Sequence, residues 1–274
     1  MAYPVVDAPY GLKPINLIGG QVFAGSTREL PITYAYATNI FYGDFVTLVR
    51  GDLQRISVST GTVGTLMGVF LGCRYTNPVT KQLTFSQYWP ASTAAGDAVA
   101  IVCDDPDTVF KAAMVSGTTV IASAARCMIG QNLAAVNNTG SVNTGNSANA
   151  VLADTSLALT AALPIRVMGL VPDTAVALGT GTYSSISTAT VTLASAISFT
   201  PMVGCDVGSL AANGQYIASG SYVSSVTNST TIVLNQAPLV AFASGATIVF
   251  TQYPEVLVKI NFGLHKYYAG TAVA

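Results

Sequence analysis

Charge is what this chain has least of. Among 274 residues there are 11 Lys plus Arg and 12 Asp plus Glu, so only 8% are charged. An ordinary soluble domain carries roughly 25%. So few cations exclude a general binder of nucleic acid or of anionic membranes, because counterion release needs clustered Lys and Arg. At 51% hydrophobic residues, the chain is not a disordered one either, since that class has low hydrophobicity and high charge.

Histidine is nearly absent. A Ser-His-Asp or Cys-His centre needs a histidine base, and only His265 exists. It reads as a structural or interface residue. No G-x-S-x-G, P-loop or dinucleotide fingerprint occurs. Glu is found only at Glu29 and Glu255, so no glycosidase carboxylate pair can be nominated. No catalytic residue, metal site or cofactor is therefore expected. Asp104-Asp105-Pro106-Asp107 lacks the glycine and bidentate Glu spacing of a calcium loop and reads as a solvated turn. Cys73, Cys103, Cys127 and Cys205 form no CxxC pair and read as reduced, buried thiols rather than a disulfide framework.

Long apolar runs are missing too, although mean hydropathy is +0.52. The longest candidate, Leu239 to Phe250, is interrupted by Ser244, Gly245 and Thr247 and is too short to span a bilayer. Met1 to Asp7 has no basic region followed by an apolar one, so no secretory signal is expected there. A monomer of this mass exposes on the order of 11,000 Å². So sparse a charge protects that area poorly against association, and much of the surface is expected to be buried against partners.

What is present is β-strand patterning. Tyr42-Gly43-Asp44 and Ala95-Gly96-Asp97 each lead into a β-rich run, turn chemistry followed by a strand. Further strands are expected near Met67–Gly72, Lys81–Trp89, Val109–Val115, Arg126–Gly130, Met168–Val171 and Val256–Asn261. The polar stretch 134–150 reads as a long exposed loop, and 155–162 as a strand or a short helix. From Thr174 to Pro254 the only charge is Asp206. Inside that stretch Thr190-Val191-Thr192-Leu193 is echoed by Thr231-Ile232-Val233-Leu234, each with the period of two. The expected class is all-β: an antiparallel β-barrel or sandwich (36–176 and 252–274), a small inserted β-domain (177–251) and an extended N-terminal arm (1–35). Proline and tyrosine density define the arm.

Tyrosine (13 residues) far outnumbers tryptophan (one). Tyr supplies contact area at low entropy cost. The candidate interface residues are therefore Tyr3, Pro4, Tyr10, Leu12, Pro14, Ile15, Tyr34, Tyr36, Trp89, Tyr267 and Tyr268.

Several segments resemble structural proteins of tailed bacteriophages, notably marine and cyanobacterial ones. They are Tyr10–Gly20, Ala37–Asp44, Gly68–Cys73, Phe85–Pro90 and Leu163–Leu170. Their ensemble is similar to capsid decoration, or cement, proteins with a β-barrel core. The resemblance covers about 1–176 and 252–274, and 177–251 departs from the shorter forms. It implies a virion structural protein made in the host cytoplasm and placed on the capsid surface. The implied partners are the major capsid protein and further copies of the chain, as a trimer. It implies clipping of neighbouring capsomers, with the arm lying over adjacent subunits. Two alternatives stand beside it: a head-fibre or tail-associated protein with 177–251 as an adhesion module, and a carbohydrate-binding β-module.

Overall fold

A computed structural model describes residues 6–58, 66–153, 163–196, 203–210, 217–239 and 246–268. Tyr3, Pro4 and the ambiguous stretch 155–162 lie outside them. The chain is all-β, built from antiparallel sheets. In chain order the strands are β1 (Lys13–Leu17), β2 (Arg28–Pro31), β3 (Phe45–Val49), β4 (Asp52–Arg55), β5 (Gly68–Thr76), β6 (Leu83–Ser86), β7 (Val99–Cys103), β8 (Thr108–Val115), β9 (Asn132–Leu133), β10 (Ala135–Val136), β11 (Ala150–Leu152) and β12 (Ile165–Leu170). A second group comprises β13 (Val176–Ser187), β14 (Thr190–Leu193), β15 (Asp206–Leu210), β16 (Val223–Val226), β17 (Thr231–Leu234) and β18 (Thr247–Gln252). The last strand is β19 (Glu255–Ile260).

Five strands, β2-β7-β5-β3-β4, form a sheet whose two ends meet through a parallel bridge between Ile32 and Leu53. The result is a nearly closed barrel. Its β3–β4 hairpin turns on Arg50 and Gly51, both at positive φ (53° and 95°), the tight turn that matches strand twist. Val46, Leu53, Phe70, Ala100 and Val102 fill the barrel with Trp89. Their chain neighbours Phe45, Val69 and Cys103 point the other way into a second core. Strand side chains alternate between faces, so these walls are buried on both sides and read as continuous apolar runs.

The second core lies against the sheet β10-β11-β8-β19-β12-β9, to which β1 adds on β8. Phe110, Ala112 and Met114 of β8 meet Val256, Val258 and Ile260 of β19 and Ile165 and Val167 of β12 there. Each fully buried side chain of Val, Leu, Ile, Phe or Met contributes about 1.5–3 kcal/mol.

Between β12 and β19 the chain makes a separate sheet, β15-β18-β13-β14-β17-β16, with its own core around Val191, Ile232, Ile248 and Phe250. The two echoing segments are β14 and β17, and they pair directly, Val191 opposite Ile232. The unit is seated by backbone contact. Gly204 (φ +90°) lies so close to the body that a Cβ there would stand 2.5 Å from the Ser123 carbonyl oxygen. The Gln252 amide donates to the Ala122 carbonyl (3.2 Å), and the Tyr253 N–H to Ser123 Oγ (3.0 Å).

Two expectations are corrected. Arg126–Gly130 is not a strand; Arg126–Met128 forms a 3₁₀ turn that drops Met128 into the core. The stretch 134–150 is not simply an exposed loop. It contains β10 and the start of β11, and Ser147 and Asn149 are buried. The described part of the N-terminal segment is extended, with β1 paired to β8 and β2 to β7.

Candidate interaction surface

The clearest exposed aromatic patch forms where β19 ends. A 3₁₀ turn, Phe262–Leu264, reverses the chain, and Lys266 straps the C-terminal side of that turn to the barrel. Its N–H donates to the Leu66 carbonyl (2.8 Å) and its Nζ to the Leu48 carbonyl (2.6 Å). Held in this way, Phe262 and Tyr268 stack with ring centroids 3.8 Å apart and planes at 23°. Both are exposed, as is Tyr267 (55%, 44% and 45%). His265 lies beneath, fully buried, its ring 4.9 Å from that of Tyr267.

An ion pair borders the patch. Arg28 of β2 sits 3.0 Å from Asp104, and its guanidinium lies 5.4 Å from the Tyr267 ring centre. The Tyr267 hydroxyl donates to Asp104. Burial and that carboxylate push the Tyr267 phenol up to about 12, so it stays a neutral donor. Burial lowers the His265 imidazole below its ordinary value, with Asp104 opposing. The ring is therefore neutral, and its Nδ1 accepts the Tyr267 N–H (3.2 Å). Large aromatic area, one neutralised cation and a polar tip are the features enriched at protein interfaces.

A second apolar surface is not apparent from the sequence. β6 pairs with β5 alone among the described residues. Leu83 and Phe85, on one face of it, are 57% and 70% exposed, and Val79 in the preceding turn is 85% exposed. Phe85 also borders a groove of about 440 Å³ with Tyr42, Leu71 and Ile101. The period-two spacing of Leu83 and Phe85 is visible in the sequence, but which face they take is not.

The candidate residues separate into groups. Tyr267 and Tyr268 come together in the patch. Tyr34 is exposed. Pro14 and Ile15 are half-buried in β1 beside β8. Tyr10 is drawn inward, its hydroxyl donating to Glu255; burial and that carboxylate raise its phenol well above the ordinary range. Tyr36 is half-buried and accepts the Arg55 N–H at its hydroxyl (3.1 Å).

Leu12 and Trp89 do not belong to any surface. Both are fully buried, Leu12 in the core between the sheets and Trp89 inside the barrel. The Trp89 indole N–H donates to the Tyr36 carbonyl (3.3 Å), and its ring meets Tyr75 edge-on at 5.3 Å. With its polar tip satisfied internally, tryptophan serves the core.

The acidic run is a turn, as its sequence suggests, but its first residue is buried. Asp104 faces Arg28 and Tyr267, and Asp105 Oδ1 accepts the Asp107 N–H (2.9 Å). Among the described residues no group of His, Cys, Asp and Glu is arranged to hold a metal ion. All four cysteines are free thiols, three of them buried. No described helix is long and apolar enough to cross a membrane. A scan against protein-family models finds no match, and a search of the curated proteins finds no similar sequence.

Proposed function

We propose that this chain is a non-enzymatic virion protein that decorates the assembled head of a tailed phage and clips neighbouring capsomers together. The observation that carries the reading is the patch of Phe262, Tyr267 and Tyr268 on a chain with only 8% charged residues. A low-charge β-body that exposes stacked aromatics is made to be covered, since hot spots at interfaces are rich in Tyr and Arg. The segment resemblance to decoration proteins supplies the identity of what covers it: the major capsid protein, with further copies of this chain in a trimer. The described N-terminal segment, fixed to β7 and β8, supports a rigid platform rather than a loose strap. Neither nucleic acid nor a membrane is a partner in this reading.

Cryo-EM of particles carrying the chain tests it. Density at shell lattice positions with the aromatic patch facing the major capsid protein is expected. Density confined to a single vertex or the tail would replace this reading with the fibre or tail one.

A further inference from the structure

The separate β-unit carries one ionisable acid and no Lys or Arg between Thr174 and Pro254. That acid, Asp206, does not face open solvent. It lies at the first position of β15, where the unit meets the body, in a cleft of about 360 Å³. Asp206, Gly208, Val249 and Thr251 come from the outer face of β15 and β18. Arg126 and Tyr253 border it from the body side, and the Ser219–Gly220 turn closes it.

Two details mark the cleft as more than a seam. Asp206 Oδ1 is shielded from solvent and has no hydrogen-bond partner. A buried unpaired acceptor is costly unless a donor reaches it. Arg126 faces the same cleft, yet the two charges do not form an ion pair, and their attraction only partly offsets the burial that raises the Asp206 carboxyl. Asp206 and Arg126 thus border one concave space without pairing, with Oδ1 itself turned out of solvent.

We infer that this cleft binds a neutral polyhydroxylated ligand, a mono- or disaccharide. A sugar diol donates to a carboxylate with one hydroxyl and accepts from a guanidinium with the next, so it satisfies both charges without bringing one of its own. Ser219, Thr251 and Tyr253 add hydroxyls of either polarity. Val249, Ala218 and the bare Gly208 leave an apolar strip for the C–H face of a sugar ring. The volume is at the small end of ligand sites, which begin near ~300 Å³. A zwitterion such as a dipeptide would meet the two charges but leave the hydroxyls unused. This inference does not rest on the capsid reading, because the cleft shares no residue with the aromatic patch.

The test uses the full chain, saturation-transfer NMR and calorimetry. The probes are methyl glycosides of glucose, galactose, mannose and N-acetylglucosamine, the disaccharides maltose and lactose, and diglycine as the zwitterion. At least one saccharide is expected to bind. Gly208→Val should abolish binding while leaving the melting temperature unchanged, since nothing lies within 4 Å of an added Cβ. Arg126→Gln, at an exposed residue, and Asp206→Asn should each weaken binding about tenfold, the scale of one charge-assisted hydrogen bond. Binding by no saccharide, binding by diglycine alone, or saccharide binding that survives Gly208→Val would overturn the inference.

Discussion

Asp44 and Arg55 form a buried ion pair, with Asp44 Oδ2 2.8 Å from Arg55 Nε and the carboxylate fully out of solvent. The same carboxylate accepts the Phe41 N–H (2.9 Å), the Ser147 hydroxyl (2.6 Å) and the Asn149 amide (3.2 Å). Arg55 also donates to the Asn138 carbonyl (2.7 Å). One acid thereby ties the β3–β4 hairpin to the polar stretch that precedes β11. Burial raises its pKa despite these donors, so the network specifies the arrangement at an electrostatic cost.

Asp44→Ala should lower stability by about 3–5 kcal/mol, because it leaves a buried guanidinium and several donors unpaired. Asp97 makes the informative comparison. It sits in the Ala95-Gly96-Asp97 turn, yet it is exposed and accepts from the Thr76 N–H and hydroxyl. Asp97→Ala should shift the denaturation midpoint much less. Urea unfolding of both variants checks the pair.

Trp89→Ala should cost about 3–5 kcal/mol, as large core truncations do. Since Trp89 is the only tryptophan, wild-type emission should be blue-shifted when folded and should report melting of the barrel. A red-shifted native spectrum would place the indole in water.

Gly204→Ala should loosen the seat of the separate β-unit. The added Cβ meets backbone 2.5 Å away at a residue with φ +90°, and strain of this kind costs about 1–3 kcal/mol. Limited proteolysis should then cut near the junction at protease levels that spare the wild type.

His265 gives the chain a pH dependence with a defined sign. Burial holds its folded pKa below the ordinary 6.5, so near that pH the unfolded chain binds a proton that the folded chain does not. Its contribution is neutral above 6.5 and becomes destabilising as pH falls through it. Asp44 and Asp206 act oppositely, because burial raises both; they gain stability on acidification nearer the carboxylate range. His265→Gln should flatten the melting temperature between about pH 7.5 and 5.5, while Asp44 and Asp206 remain to set the profile below that.

The fold class is legible in the sequence because strand alternation is local. Val46, Phe70 and Val102 and their outward neighbours are continuous apolar runs bounded by Gly-Asp and Asp-Pro turns, and the β14 and β17 echo marks two strands that prove to be partners. What stays hidden is non-local. Arg126–Gly130 has strand-like alternation, but Met128 is needed in the core and the chain turns to deliver it. The polar residues of 134–150 look solvated because their partners, Asp44 and Arg55, lie about a hundred residues away. Trp89 looks like an anchor because nothing nearby announces the Tyr36 carbonyl that satisfies its indole. Tyr267 and Tyr268 are legible as interface candidates by residue type, whereas Phe262 and Arg28 need the tertiary structure to join them, and the exposure of the β6 face is set by the fold.

The central claim is that the aromatic patch binds an assembled head. Co-sedimentation of the purified chain with tailed-phage heads that lack it, comparing wild type with a Phe262→Ser, Tyr268→Ser double variant, measures this directly. Both substitutions are at exposed sites, so melting temperature should change little while head binding falls by tenfold or more, as for interface hot spots. Equal binding by the folded double variant, or no binding of the wild type to any head, would contradict the account.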